Sequence, residues 1–159
     1  MKNLWAPWRI EYILDDKKED ECFLCNALSE KDEKNFILKR TKNAFAIMNK
    51  YPYGSGHIMI APKRHIGALE DLTKDEYLEL MNLLVDIKKA LDDSLCPDAY
   101  NIGLNLGKYA GAGLLEHLHW HIVPRWEGDT NFMPVISDVR VLPEYIKVTY
   151  EKICAILKS

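Results

Sequence analysis

The chain has no apolar run near the roughly 20 residues needed to cross a bilayer. Its opening residues, Met1 to Trp8, lack the apolar centre of a secretory signal. No internal repeat or low-complexity segment appears, so an array of small units is not expected. Positive charge is not in excess. Lys and Arg number 21 against 24 Asp and Glu, for a net charge of -3. That balance gives no support for a surface that coats nucleic acid, although a small anion could still find local positive charge. Cysteines number only four. They could form two disulfides in a secreted protein, but without an export signal a reduced, cytoplasmic protein is expected. Neither a Walker nor a dinucleotide-binding fingerprint is present. The 159 residues, 48% of them apolar, suit one domain over 1–159 with a true core and no membrane partner.

Histidine is also scarce, with five in the chain, yet three of them are His117, His119 and His121. They alternate with Leu118, Trp120 and Ile122, which favour strands. Read as a strand, the stretch sends the imidazoles to one face and the apolar side chains to the other. Imidazole can be a neutral nucleophile, a proton carrier or a metal ligand near pH 7. Core histidines usually occur singly, so three in alternation point to chemistry.

The remaining pattern is mixed. Trp5, Trp8, Tyr12 and Ile13 bring aromatic surface that needs cover from the core or a partner subunit. Residues 15–21 are charged and read as a solvated turn. Cys22-Phe23-Leu24-Cys25 is open between half a zinc site on a tight turn, a redox pair and two buried thiols. Residues 44–48 and 57–62 read as an antiparallel hairpin around a Pro- and Gly-punctuated turn. Thr73 and Glu76 form a capping box ahead of a long helix, whose stripe is Tyr77, Leu80, Met81, Leu84, Ile87, Leu91 and Leu95. Glu79, Asp86, Lys88, Lys89, Asp92 and Asp93 read as its wet face, and Pro97 as its stop. Residues 100–106 suggest another strand. Residues 107–113, with three glycines, form a loop whose amides could approach a phosphate. Residues 127–134 look turn-like. A last helix follows Pro143, with Tyr145, Ile146, Thr149, Tyr150, Ile153 and Leu157 on one side. Cys96 and Cys154 read as inert apolar fillers.

The motif His117-Leu118-His119-Trp120-His121-Ile122-Val123, continued by Pro124-Arg125, resembles the signature of the histidine triad family. The resemblance spans roughly Cys22 to Arg125. It implies an α+β fold, an antiparallel sheet of about five strands with one long and one C-terminal helix, usually paired into a homodimer. It also implies nucleotidyl transfer or hydrolysis through a covalent nucleotidyl-histidine. His119 would be the nucleophile and His121 would contact the α-phosphate. His57, after Gly56, matches a fourth family histidine. Asn49 stands where the family binds ribose hydroxyls, and Asn105 where some members hold the phosphates. A subgroup carries structural zinc, and Cys22, Cys25, His65 and His117 match its four ligands.

Residues 5–9, 117–126 and 128–134 further resemble a prokaryotic branch related to diadenosine tetraphosphate phosphorylase. Dinucleoside polyphosphate hydrolases of the family commonly place Gln four residues before the first triad histidine. Gly113 stands there in this chain, which leaves room for inorganic phosphate as second acceptor, with Lys108 or Arg125 to neutralise it. Hydrolysis or phosphoramidase chemistry with water is the alternative. Two other classes fit the same residues: a catalytic metal held by three histidines, and a nucleotide-binding module without turnover.

Overall fold

The computed structural model describes residues 22–129 and 144–158. The readings made on Trp5, Trp8, Tyr12 and Ile13, on residues 15–21, on 130–134 and on Pro143 lie outside them. Five strands form one antiparallel sheet: β1 (Ile37–Arg40), β2 (Ala44–Met48), β3 (Ile58–Pro62), β4 (Ala99–Leu104) and β5 (Trp120–Arg125). Their spatial order is β1-β2-β3-β5-β4. Among the described residues, four α-helices accompany the sheet: α1 (Phe23–Ser29), α2 (Asp32–Asn35), α3 (Lys74–Leu95) and α4 (Ile146–Leu157). The expected α+β arrangement is therefore present.

Strand alternation divides the apolar side chains between two cores. Ala44, Ala46, Met48, Ile58, Ile60 and Ile122 face α3 and α4, where they meet Leu80, Leu83, Ile87, Leu91, Tyr150 and Ile153. Phe45, Ile47, Met59 and Ala61 face the other way, onto Leu24 and Ala27 of α1. β2 and β3 are buried at every position, which explains why they read as apolar runs.

The capping box forms as expected. Thr73 Oγ1 accepts from the Glu76 amide at 3.2 Å, and the Thr73 amide donates to the Glu76 carboxylate at 2.9 Å. The stripe that follows differs from the expected one. Tyr77 is exposed, whereas Glu76, Leu83 and Ala90 are buried with Leu80, Ile87 and Leu91. The buried frame thus begins one residue earlier, because the Glu76 carboxylate turns inward to serve the cap and Arg64, with Arg64 Nε donating at 2.9 Å and Nη2 at 2.8 Å. The charges assigned to a wet face also have tertiary partners. Glu79 accepts from the Asn43 amide and side chain, Asp86 pairs with Lys39, and Asp92 accepts from the Tyr100 hydroxyl. They clamp the helix to the sheet. Cys96 ends α3 in a left-handed conformation (φ 47°) and is exposed, so it is no filler. Cys154 does pack against the main core.

Three further differences bear on the site. The Cys22–Cys25 pair spans the start of a helix rather than a tight turn, with Cys22 at the N-cap and Cys25 in the first turn of α1. Strand β1, short and half polar, has no counterpart in the sequence reading. The triad strand begins only at Trp120, because the Leu118 amide leaves the sheet ladder to donate to Ile66 O at 2.7 Å.

Candidate active site and metal centre

That departure from the ladder splits the three triad histidines between two neighbouring sites. His117 turns toward α1 and the 63–67 segment. His121 meets His57, the residue that precedes β3, and His119 lies beside His121. The rings of His119 and His121 stand edge to face with centroids 5.0 Å apart, and those of His121 and His57 are 5.1 Å apart.

At the first site, Cys22, Cys25, His65 and His117 each offer one ligand atom, and all four atoms lie within 4.8 Å of one another. His117 Nδ1 is 3.2 Å from Cys22 Sγ and 3.5 Å from Cys25 Sγ, and His65 Nδ1 is 3.4 Å from Cys25 Sγ. Sulfur and nitrogen bound tetrahedrally to one zinc lie roughly 3.5 Å apart, from bond lengths of about 2.3 and 2.0 Å. The donor set and its spacing therefore fit zinc. The orientation of His117 fits as well. Its Nε2 donates to Pro62 O at 2.8 Å, which fixes the tautomer and leaves Nδ1 with its lone pair toward the sulfurs. Burial, then the adjacent Cys22, pushes the Cys25 thiol up to about 11, so two thiolates side by side call for a cation. Burial likewise holds His117 below the usual histidine range, in the neutral form a metal requires.

At the second site, hydrogen bonds fix each proton in turn. The Tyr53 amide donates to His57 Nδ1 at 3.0 Å, so the neutral ring carries its proton on Nε2. That nitrogen lies 2.9 Å from His121 Nδ1 and donates to it, which leaves the proton of His121 on Nε2. The Tyr53 ring stacks on His57 with centroids 4.6 Å apart and holds the plane. His119 is set the other way. Its Nδ1 is 2.8 Å from His117 O, a carbonyl that can only accept, so Nδ1 bears the proton and Nε2 keeps its lone pair. Burial lowers the His119 pKa, so the ring stays neutral below the usual histidine range. One imidazole thus presents a lone pair and its neighbour presents an N–H.

The other expected residues fall around this pair. Asn49 Nδ2 is 3.4 Å from His57 Nδ1, and Asn49 Oδ1 accepts from the Tyr51 amide at 2.8 Å. Leu104 pairs with Trp120 in the last register of β4 and β5, and the next residue on each side is Asn105 and His119. Gly113 lies in the exposed loop after the 3-10 turn Lys108–Ala110. Arg125 is committed elsewhere. Its Nη2 donates to Asp129 at 2.8 Å and Nη1 to Asn101 at 2.8 Å, so the expectation that it neutralises phosphate is not carried forward.

Residues 30–128 match the family model described as "HIT domain". The chain belongs to the HIT family. Within the HIT family it is 37% identical over 157 residues to "AP-4-A phosphorylase" of Mycobacterium tuberculosis, covering 94% of this chain and 80% of that protein. It is 34% identical over 93 residues to "Bis(5'-adenosyl)-triphosphatase" of Dictyostelium discoideum, covering 58% of this chain and 62% of that one. A crystal structure of "a ZN-bound histidine triad family protein" from Mycobacterium smegmatis superposes with a TM-score of 0.70 at 25% identity, covering 87% of this chain and 94% of that one. Sequence reasoning missed Tyr53 and the carbonyls of Pro62 and His117. Backbone groups leave no residue-type signal, and Tyr53 is one aromatic within a turn.

Proposed function

We propose that this HIT protein is an enzyme that cleaves dinucleoside polyphosphates of the diadenosine tetraphosphate type through a nucleotidyl-His119 intermediate. The observation that carries this reading is the opposed pair of tautomers, a bare Nε2 on His119 beside an N–H on His121. His119 Nε2 attacks the α-phosphorus. The bond from that phosphorus to the bridging oxygen breaks, and ATP departs from the tetraphosphate substrate, leaving an adenylyl group on His119. The N–H of His121 donates to an α-phosphate oxygen and offsets the charge that builds there. His57 holds His121 in the donating tautomer. Asn49 binds the ribose and Asn105 the phosphates, with the Gly113 loop beside them.

The second acceptor is inorganic phosphate. One of its oxygens attacks the adenylyl phosphorus, the P–N bond breaks and ADP leaves with His119 restored. The name of the 37% identical mycobacterial relative supports this over attack by water. The test is product analysis with diadenosine tetraphosphate. Phosphorolysis gives ADP and ATP only when phosphate is added, while hydrolysis gives AMP and ATP regardless. A rate and product pattern indifferent to phosphate would sink the phosphorolysis and leave the histidine nucleophile standing.

The metal is zinc, held by Cys22, Cys25, His65 and His117. Four protein ligands leave no open position, so its role is structural. The protein works in the cytoplasm, in keeping with its unpaired cysteines. It acts as a homodimer. β4 is an edge strand with Ile102 exposed, and a second copy adding its own β4 would cover it. Light scattering at micromolar concentration should give twice the chain mass of 18.4 kDa, and a monomer mass would contradict the pairing.

A further inference from the structure

The 65–67 segment crosses directly over the 115–118 segment, and this crossing carries both His65 and His117. The Leu118 amide donates to Ile66 O at 2.7 Å, which locks the two backbones together. At the centre of the crossing is Gly67. A Cβ there would lie 2.9 Å from Leu115 O, 3.1 Å from Glu116 Cα and 3.3 Å from Glu116 C. All three atoms are backbone, so no side-chain rotation could relieve the contact. Relief would require the two segments to part. Such parting would act in two places. It would draw His65 away from His117 and widen the Cys22–Cys25–His65–His117 group. It would also shift the His117 carbonyl, which fixes the proton of His119 on Nδ1 from 2.8 Å. Ile66 and Leu118 are buried at the crossing itself, whereas the main core beneath α3 and α4 contains none of its residues, so that layer should stay closed when the segments part.

We infer that Gly67 is a positioning residue shared by the metal site and the nucleophile: the absence of its Cβ lets the two segments close until four ligands and the His119 tautomer are set together. This rests on the zinc and nucleophile roles proposed above.

The experiment compares the parental protein with Gly67→Ala. Zinc retention is measured by competition with a chromophoric chelator, the rate of adenylyl-His119 formation in a single turnover with diadenosine tetraphosphate, and nucleotide affinity with AMP. In Gly67→Ala, zinc should be lost to chelator at least tenfold more readily. Adenylyl transfer should fall on the order of tenfold to a hundredfold, the usual effect of misplacing a reacting group by about 1 Å. AMP affinity should hold within about threefold, so the loss appears in kcat rather than KM. Parental protein without zinc or without an adenylyl intermediate would defeat the underlying reading rather than this one. Parental zinc retention and parental transfer rate in Gly67→Ala would overturn the inference. So would a variant that fails to fold with excess zinc, since the contact would then support the whole sheet and not the crossing.

Discussion

The two faces of the sheet bury side chains to a similar degree but by different means. Toward α3 and α4 the buried residues are almost all aliphatic, and packing holds them, with polar contacts such as Tyr150 OH donating to Ile37 O and Glu79 accepting from Asn43 mostly at the margins. Toward α1 the sheet also buries His57, His117 and His119, exposed by only 1%, 0% and 5%. Unpaired, such groups would each cost on the order of 1 to 3 kcal/mol. Each is instead met by a specific backbone group: the Tyr53 amide, the Pro62 carbonyl and the His117 carbonyl. The apolar face tolerates repacking, whereas the histidine face works only in one hydrogen-bond pattern. That pattern also assigns the chemistry, because the partner of each ring decides which nitrogen is left to react.

The largest effect should come from removing the reacting nitrogen. His119→Ala is expected to lower adenylyl transfer by at least about a thousandfold, as losses of covalent nucleophiles do. Nucleotide affinity should change little, while the thermal midpoint should fall, since the buried His117 carbonyl loses its donor. Turnover within tenfold of the parent would remove the covalent mechanism.

A second test sets the two faces against each other. Ile87→Ala opens a cavity beneath α3 and should cost about 2 to 5 kcal/mol in denaturant unfolding, with zinc content and kcat retained. Cys25→Ser should do the reverse, losing zinc while leaving the α3 core closed. Its thermal midpoint should fall to that of the chelator-treated parent, and chelator should then have no further effect on it. A midpoint of Cys25→Ser that still responds to chelator would place the metal elsewhere.

Much of this division could be read from the chain, and the missing parts share a physical cause. The long helix was legible because Thr73 and Glu76 declare its start and the aliphatic spacing sustains it. Cys22, Cys25, His65 and His117 as a candidate metal group, and His119, His121 and His57 as a second set, follow from the resemblance to the histidine triad family, and the structure brings them into two groups. The split of the triad was not legible from alternation, which places all three rings on one face. It arises because Leu118 bonds to Ile66 outside the sheet, a long-range backbone choice with no local signature. Strand β1 was missed because Lys39 and Arg40 break its apolar pattern, although Lys39 pairs with Asp86 and Arg40 with Asp32. The inward turn of Glu76 was missed for a related reason, since its partner Arg64 is 12 residues away.

That same glutamate gives the smallest and most discriminating prediction, because it is a buried charge on the otherwise apolar side. The Arg64 guanidinium, followed by the Thr73 amide, holds the Glu76 carboxyl down at about 2 from its ordinary 4.5. A carboxyl depressed in the folded state contributes stability that is complete above its unfolded pKa and is lost as pH falls toward the folded value. The window for this group is therefore from about 4.5 down to about 2. Glu76→Gln keeps the size of the side chain and removes the charge-assisted part of its bonds to Arg64. At pH 7 it should destabilise the protein by about 1.5 to 3 kcal/mol, the scale of hydrogen bonds to charged groups. The difference from the parent should shrink steadily as pH falls through the window, since the parental carboxyl then gains its own proton. Histidine chemistry should not follow it: kcat at pH 7 should stay within about twofold, because Glu76 touches the cap and Arg64 rather than the triad. Denaturant unfolding of both proteins from pH 7 to pH 3 measures the difference directly. A gap independent of pH would mean that Glu76 acts through shape alone.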